Sequence, residues 1–343
     1  MYPSKRNDTV DLIKTVAIFS VVAIHVSASY VATDVNTSIW ILSCFFRSLA
    51  SGGVPLFLMA SGALLLRPEK YMPLEKLYGK NMPRILLALF FWAFVYCAAP
   101  LYGGIHSLGE LRSVLGNLIL FHHKEHLYYL HMMILVYGFL PLSRIIACHS
   151  TKNEMKYLLA LWLVLGIFLP TVRAFYSLES VGAIPLQWIM VFSYSAIGYT
   201  FMGYFLSETK PSKNLYTIAA ILGFAIVFGC TYYFSKASGQ LDERFFEGMS
   251  VGVFLWSMGI FALAQHIRLP EKGKSFVLKL SKSSFAIYLV HVLVLDYLKY
   301  YFPALETLNP LMGIPAITAA VTAISYILYK ILSHIPVVRK WLI

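Results

Sequence analysis

An all-α polytopic membrane protein, with about ten transmembrane helices around a polar interior cavity, is what this sequence predicts. Three observations carry that prediction. Hydrophobic residues make up 59% of the 343 residues and charged residues only 13%, where a soluble protein carries about 25% charged residues. The mean hydropathy is +0.69. The apolar residues fall in long continuous runs rather than alternating, which argues against a transmembrane β-barrel. A soluble domain of this size could not hide so much apolar surface. The composition excludes intrinsic disorder, and four cysteines are too few for a disulfide-stapled module. Within hydrocarbon, each backbone N–H and C=O must then be satisfied inside its own helix.

A crossing of about 30 Å takes roughly 20 apolar residues. On that measure the spans fall at 9–32, 50–66, 83–102, 127–147, 156–173, 186–206, 214–235, 247–267, 283–303 and 310–333. The second is the least regular, because Ser51, Gly52, Gly53 and Pro55 crowd its start. Residues 36–49 also read as helical, either along the interface or as an extension of that span. The run 113–121 is too short to cross and predicts a re-entrant or interfacial piece. No loop is long enough to fold alone, so residues 1–343 are expected to form a single integral-membrane domain with no separate soluble domain.

Charge sets the direction. With both termini in the cytoplasm, 21 of the 28 Lys and Arg lie on the inner side, as the positive-inside rule expects. The net charge of +12 is therefore a topology signal. Nucleic acid is not an expected partner, since no separate basic domain exists to hold a duplex. Lys5 and Arg6 before an apolar run imitate a cleavable signal peptide, but Asp11, Lys14 and His25 interrupt that run. The expected setting is the lipid bilayer of a bacterial inner membrane, crossed many times.

An ionisable residue inside a span costs at least about 2.5–3.5 kcal/mol at the bilayer centre, so each needs a partner, a cavity or a task. The first span carries Asp11, Lys14 and His25. Lys14 and His25 are eleven residues apart, which places them on one helix face about 16 Å apart along the axis. The ninth span carries Ser284, Tyr288 and His291 at i, i+4 and i+7, with Asp296 nearer its outer end. Each stripe alone reads equally as a snorkelling lysine or as hydrogen bonding between helices. Two stripes that each end in a deep histidine are harder to explain by packing. The segment from Phe121 to His131 is dense in histidine, yet its spacing fits no zinc pattern and no cysteine or carboxylate pair completes a set. No metal is expected there, and His126 and His131, which enter the fourth span, are its better functional candidates. The inner loop from Arg67 to Arg84, with Lys70, Lys76 and Lys80 between, holds topogenic charge. Beside a polar interior it would also attract a phosphorylated cofactor.

These features together resemble the membrane-bound acyltransferase-3 superfamily over almost the whole chain. Lys14 to His25 matches the family's basic residue, ten others, then histidine, with Asp11 in the acidic position before it. Gly53 to Gly62, ending in Ser61-Gly62, matches an apolar stretch that closes on Ser-Gly. Where the family has two arginines three apart, this chain has Arg84 but Asn81, with Lys80 one position earlier. His126-Leu127-Tyr128-Tyr129-Leu130 parallels a His-Leu-Trp-Phe-Leu stretch, and Ser284, Tyr288 and His291 match a late Ser, Tyr, His stripe. The resemblance is to short stand-alone members without the extra esterase-like domain that others carry.

The resemblance implies transfer of an acetyl group from acetyl-CoA to a hydroxyl of a cell-envelope or exopolysaccharide sugar, with a glycan or lipid-linked sugar as acceptor. Some members transfer succinyl instead. On that reading Lys14, Lys80 and Arg84 bind the donor phosphates, and His25 is the catalytic general base. Asp11 pairs with Lys14 or Arg84. Ser61, His126, Ser284, Tyr288 and His291 support the site. The Lys14–His25 face is expected to line an open polar path from the inner rim to the imidazole. Direct transfer and an acetyl-histidine intermediate both remain open. A flippase or exporter of a glycan or lipid-linked sugar is the competing reading, because buried polar stripes also suit a translocation path.

Overall fold

The computed structural model describes residues 7–70, 72–122, 124–175 and 185–343; Lys5, Arg6 and His123 fall outside the described residues. The described chain is helical throughout, without a strand. In order the helices are α1 (Asp8–Val31), α2 (Ser38–Ala50), α3 (Gly53–Leu65), α4 (Leu74–Lys76), α5 (Met82–Ala98), α6 (Leu108–Ile119), α7 (Tyr128–His149), α8 (Lys152–Leu163), α9 (Leu169–Phe175), α10 (Phe192–Ser207), α11 (Lys213–Ser238), α12 (Val251–Ala264), α13 (Glu271–Tyr301), α14 (Pro310–Leu332) and α15 (Pro336–Trp341). Among the described residues, 10 helical segments are long and apolar enough to cross a membrane, and they follow the expected spans closely.

Three spans differ from the expected bounds; the third begins at Leu74 rather than at 83. The second runs over residues 38–65, because α2 and α3 join through a tight turn at Ser51–Gly52. Residues 36–49 therefore extend that span. The ninth begins at Glu271 rather than at 283 and is 31 residues long. At about 1.5 Å per residue it is some 46 Å long, more than the hydrocarbon is thick, so its charged first turns project beyond it. Residues 113–121 fall mostly in α6, a 12-residue helix started by a Ser107–Glu110 capping box and too short to cross.

Local chemistry accounts for the irregular turns. Asn7 caps α1 by accepting from the Thr9 and Val10 N–H groups at 3.1 and 3.3 Å. Two wide π turns, Leu77–Asn81 and Val164–Phe168, each stand just ahead of a proline, Pro83 and Pro170. A helical proline lacks the N–H that would bond four residues back and crowds the carbonyl there. In both places the residue four back is a glycine, Gly79 and Gly166, and widening the turn removes the conflict.

Helix α1 lies at the centre of the packing, against α2, α3, α13 and α14. Helices α3 and α10 meet backbone to backbone: a Cβ on Gly62 would lie 1.8 Å from the Thr200 carbonyl oxygen, and one on Gly203 would lie 2.0 Å from that of Met59. At one end of the bundle Asp8 faces Lys274 at 3.9 Å. At the same end the Arg84 guanidinium donates to the Ile343 carbonyl, and the Trp92 indole donates to that of Leu342 at 2.9 Å. Both ends of the described chain thus lie together, as an even number of crossings requires. At the opposite end the Tyr30 hydroxyl donates to the Leu305 carbonyl at 2.8 Å, and Lys299 pairs with Glu306 at 3.2 Å.

Gly62→Ala should cost about 3 kcal/mol or more, the upper range for overpacking a tight contact. Gly79→Ala, which meets nothing within 4 Å, should be tolerated. Thermal unfolding in detergent, followed by size exclusion, checks the contrast: the first variant should be largely lost and the second retained.

Candidate functional site

A cavity of about 410 Å³ occupies the basic half of the bundle. Its lining joins four of the predicted elements: Lys14 of α1, Ser61 of α3, Arg84 of α5, and Ser284 and Tyr288 of α13. Tyr129 of α7 completes the inner wall. Arg84 lies over the Phe285 ring at 6.0 Å. While one of its terminal nitrogens holds the Ile343 carbonyl, its buried Nε has no hydrogen-bond partner. Lys80 does not belong to this lining: it is exposed on the π turn, and the adjacent Asn81 faces the cavity in its place. Neighbouring helical residues point about 100° apart, so a lysine one position early cannot stand in for the missing arginine. Lys282, which the sequence analysis does not single out, also lines the cavity. Its i, i+3, i+6 spacing with Phe285 and Tyr288, which also line it, was the available signal.

Three histidines from three different elements meet deeper in the bundle. His25 comes from α1, His291 from α13, and His126 from the short 3-10 turn Glu125–Leu127 that leads into α7. Ring centroids are 5.0 Å apart for His25 and His291, 5.6 Å for His126 and His291, and 6.0 Å for His25 and His126. His291 and His126 are buried, and the Nε2 of each lacks a hydrogen-bond partner. His291 Nδ1 lies 2.6 Å from the Tyr288 carbonyl oxygen. A carbonyl only accepts, which assigns the proton to Nδ1 and leaves the Nε2 lone pair free to take another. Among the described residues, no group of three His, Cys, Asp or Glu side chains is placed to hold a metal ion.

Tyr288 joins the two parts. It lines the cavity, its hydroxyl donates to the His126 carbonyl, and its ring lies 6.1 Å from His126 and 6.0 Å from His291. Tyr129 packs against it at 5.3 Å. His25 does not line the cavity. The expected open path along the Lys14–His25 face is therefore corrected: the cavity reaches Tyr129 and Tyr288, and Tyr288 in turn lies against His126 and His291. The helical arithmetic placed Lys14 and His25 on one face, but it carried no information about a tyrosine that another helix inserts at mid-height.

The register between α1 and α13 is fixed at the basic end. Ser281 donates to Asp11 at 2.6 Å, and Thr15 donates to the Val277 carbonyl at 3.1 Å. Asp11 thus acts on the α1–α13 contact. Ser284 and Ser61 donate back to their own helices, at 2.9 Å to Ser281 and at 2.9 Å to Phe57. Arg47 of α2, which the sequence analysis does not single out, also reaches this region. Its guanidinium donates to the Ile24 carbonyl at 2.7 Å, beside His25, and lies over Phe246 at 5.4 Å. A lone arginine in an apolar helix was the available signal. His131 packs against Phe121 at 5.7 Å rather than joining the other three histidines.

Set beside known proteins, the chain matches a family model described as an acyltransferase domain over residues 7–330. No curated protein and no solved structure matches it.

Ser281→Ala removes a buried donor from Asp11 and should lower stability by about 1–3 kcal/mol. Ser281→Thr keeps the hydroxyl and should recover most of that loss. Melting temperatures in detergent measure both.

Proposed function

Since the chain belongs to the acyltransferase-3 family, as the match over residues 7–330 shows, we propose that it is a membrane-embedded O-acyltransferase that moves an acetyl group from acetyl-CoA to a hydroxyl of a cell-envelope or exopolysaccharide sugar. One observation carries this reading: a cavity lined by Lys14, Arg84 and Lys282 ends on a tyrosine wall with three imidazoles immediately behind it. The positive-inside rule turns the basic end toward the cytoplasm, where the coenzyme is made. Guanidinium and ammonium groups suit its phosphates. The volume of about 410 Å³ is in the range of small-molecule sites and suits the slender pantetheine arm. Lys80, being exposed, drops out of the proposed donor set.

The chemistry needs a base for a weakly acidic hydroxyl. His25 takes the proton of the acceptor hydroxyl as its oxygen attacks the thioester carbonyl. The new C–O bond forms, the C–S bond breaks, and the proton passes to the leaving thiolate to give the free coenzyme thiol. His126 and His291 hold His25 in place, and the free Nε2 of His291 offers the proton a second position. The Tyr129–Tyr288 pair must turn aside for the thioester to reach His25. The acceptor class and the bacterial inner membrane follow from likeness to short stand-alone members, such as the O-acetyltransferase of enterobacterial common antigen.

Purified protein in nanodiscs, given radiolabelled acetyl-CoA and envelope glycan, tests the reading. His25→Ala should keep its melting temperature and lose transfer by about 10²-fold or more, the usual share of a general base. Arg84→Ala should raise the KM for acetyl-CoA. Full transfer by His25→Ala would overturn the assigned base.

A further inference from the structure

A second cavity, of about 300 Å³, lies at the opposite end of α5 from Arg84, and its lining includes Tyr96, Cys97, Tyr102, Glu110, Ser113 and Lys124. From Arg84 to Cys97 the helix rises about 20 Å, so the two cavities are far apart along the bundle. The imidazole cluster is close to both. Tyr96 packs edge-on against His126 at 4.7 Å, and Tyr288 lies 6.1 Å from the same ring. The Tyr96 hydroxyl donates to the Leu289 carbonyl at 3.0 Å and accepts from the Leu293 N–H at 3.2 Å, which ties α5 to α13 beside His291.

The lining of this vestibule has a definite chemical character. The Lys124 ammonium sits 3.8 Å from the centre of the Tyr102 ring. The Tyr102 hydroxyl donates to Asp296, which fixes that ring. Glu110 accepts from the His106 and Ser107 N–H groups at 2.6 and 3.0 Å, which holds its carboxyl below the usual carboxylate range. It is therefore an ionised acceptor at a set position. The vestibule thus offers aromatic surface, one carboxylate acceptor and one ammonium donor. Charges of both signs beside a ring do not suit an anion or a cation alone. They suit a neutral ring whose C–H face lies on an aromatic plane and whose hydroxyls both donate and accept. A volume near the lower limit for ligand sites fits one sugar unit and not a folded polymer.

We propose that this vestibule is the acceptor site, where a single sugar unit enters from the end opposite the coenzyme, displaces the Lys124 ammonium from the Tyr102 face, rests on that ring with Lys124 bonded to its hydroxyls, and turns a hydroxyl past Tyr96 toward the histidines. The proposal rests on the acyltransferase reading for its chemistry, but not for its binding. On reaction, the sugar O–H proton passes to imidazole, the acetyl C–O bond forms as C–S breaks, and the proton leaves with the coenzyme thiol.

The test uses the full chain in sealed, oriented vesicles. Ser113→Cys places a thiol in the vestibule lining, and a membrane-impermeant maleimide reads its accessibility through mass spectrometry of the labelled peptide. The probes are p-nitrophenyl glucoside, galactoside and N-acetylglucosaminide. Labelling is expected only from the side opposite the Arg84 end, with protection by at least one glycoside and none by acetyl-CoA. Tyr102→Ala and Lys124→Ala should each raise the KM for the protecting glycoside about tenfold, the factor lost with one stacked ring or one charged hydrogen bond. The KM for acetyl-CoA should stay unchanged, and Tyr102→Phe should fall between. Labelling from the Arg84 end only, or transfer to a glycoside that neither protects the thiol nor responds to Tyr102→Ala, would overturn the acceptor site and leave the acyltransferase reading intact. Glycoside protection in a protein that never transfers acetyl would support the sugar site and overturn the acyltransferase reading.

Discussion

Hydrocarbon gives a polar group no partner, and that constraint organises this molecule. Asp11, Lys14, His25, Tyr288 and His291 lie on apolar helices, where each would be costly if it faced lipid. The fold turns them toward one another. Asp11 takes a hydroxyl from Ser281, Thr15 gives its own to the Val277 carbonyl, and these bonds hold α1 against α13 in one register. That register brings His25 within 5.0 Å of His291. The clustered histidines are therefore positioned by polar contacts nearer the basic end, and the cluster inherits its geometry from the same rule that makes the helices pair.

Two cavities approach the histidines from opposite ends, and each is closed by a tyrosine. Tyr288 stands at the end of the basic cavity and Tyr96 beside the other. A thioester is prone to hydrolysis, and a polar channel open at both ends would bring water as readily as substrate. His126 and His291 are buried behind these rings, while His25 stays partly exposed; on the proposed reading, exclusion of water there would strengthen electrostatic effects inside the site. Arg84 adds a second restraint, since its guanidinium is engaged by the Ile343 carbonyl while it lines the donor cavity. On the proposed reading, donor phosphates would compete with that carbonyl for the same group.

Much of this was legible in the sequence, because it depends on period and charge. Continuous apolar runs and the alternation of basic loops define the spans, and helical spacing defines the stripes on α1 and α13. The join of α2 to α3 at Ser51–Gly52 was ambiguous, since the same glycines suit a break or a tight turn within one span. The charged start of α13 was invisible to an apolar criterion. Contacts between helices were beyond periodicity altogether. Nothing in the spacing of Lys14 and His25 announces that Tyr288 lines the cavity where His25 does not, that Asn81 rather than Lys80 faces it, or that Arg47 reaches across to the Ile24 carbonyl. The close approach at Gly62 gives the Ser61-Gly62 signature a plain structural reason: no larger residue fits against Thr200.

The central claim is that a coenzyme thioester reaches the imidazoles from the basic end. A cryo-electron-microscopy map of the protein with a non-hydrolysable acetyl-CoA analogue tests it most directly. The account predicts phosphate density beside Lys14 and Arg84, the pantetheine arm in the cavity, and Tyr288 turned aside so that the acetyl carbonyl lies against His25. An analogue bound at another surface, with the Tyr129–Tyr288 wall still closed, would contradict it.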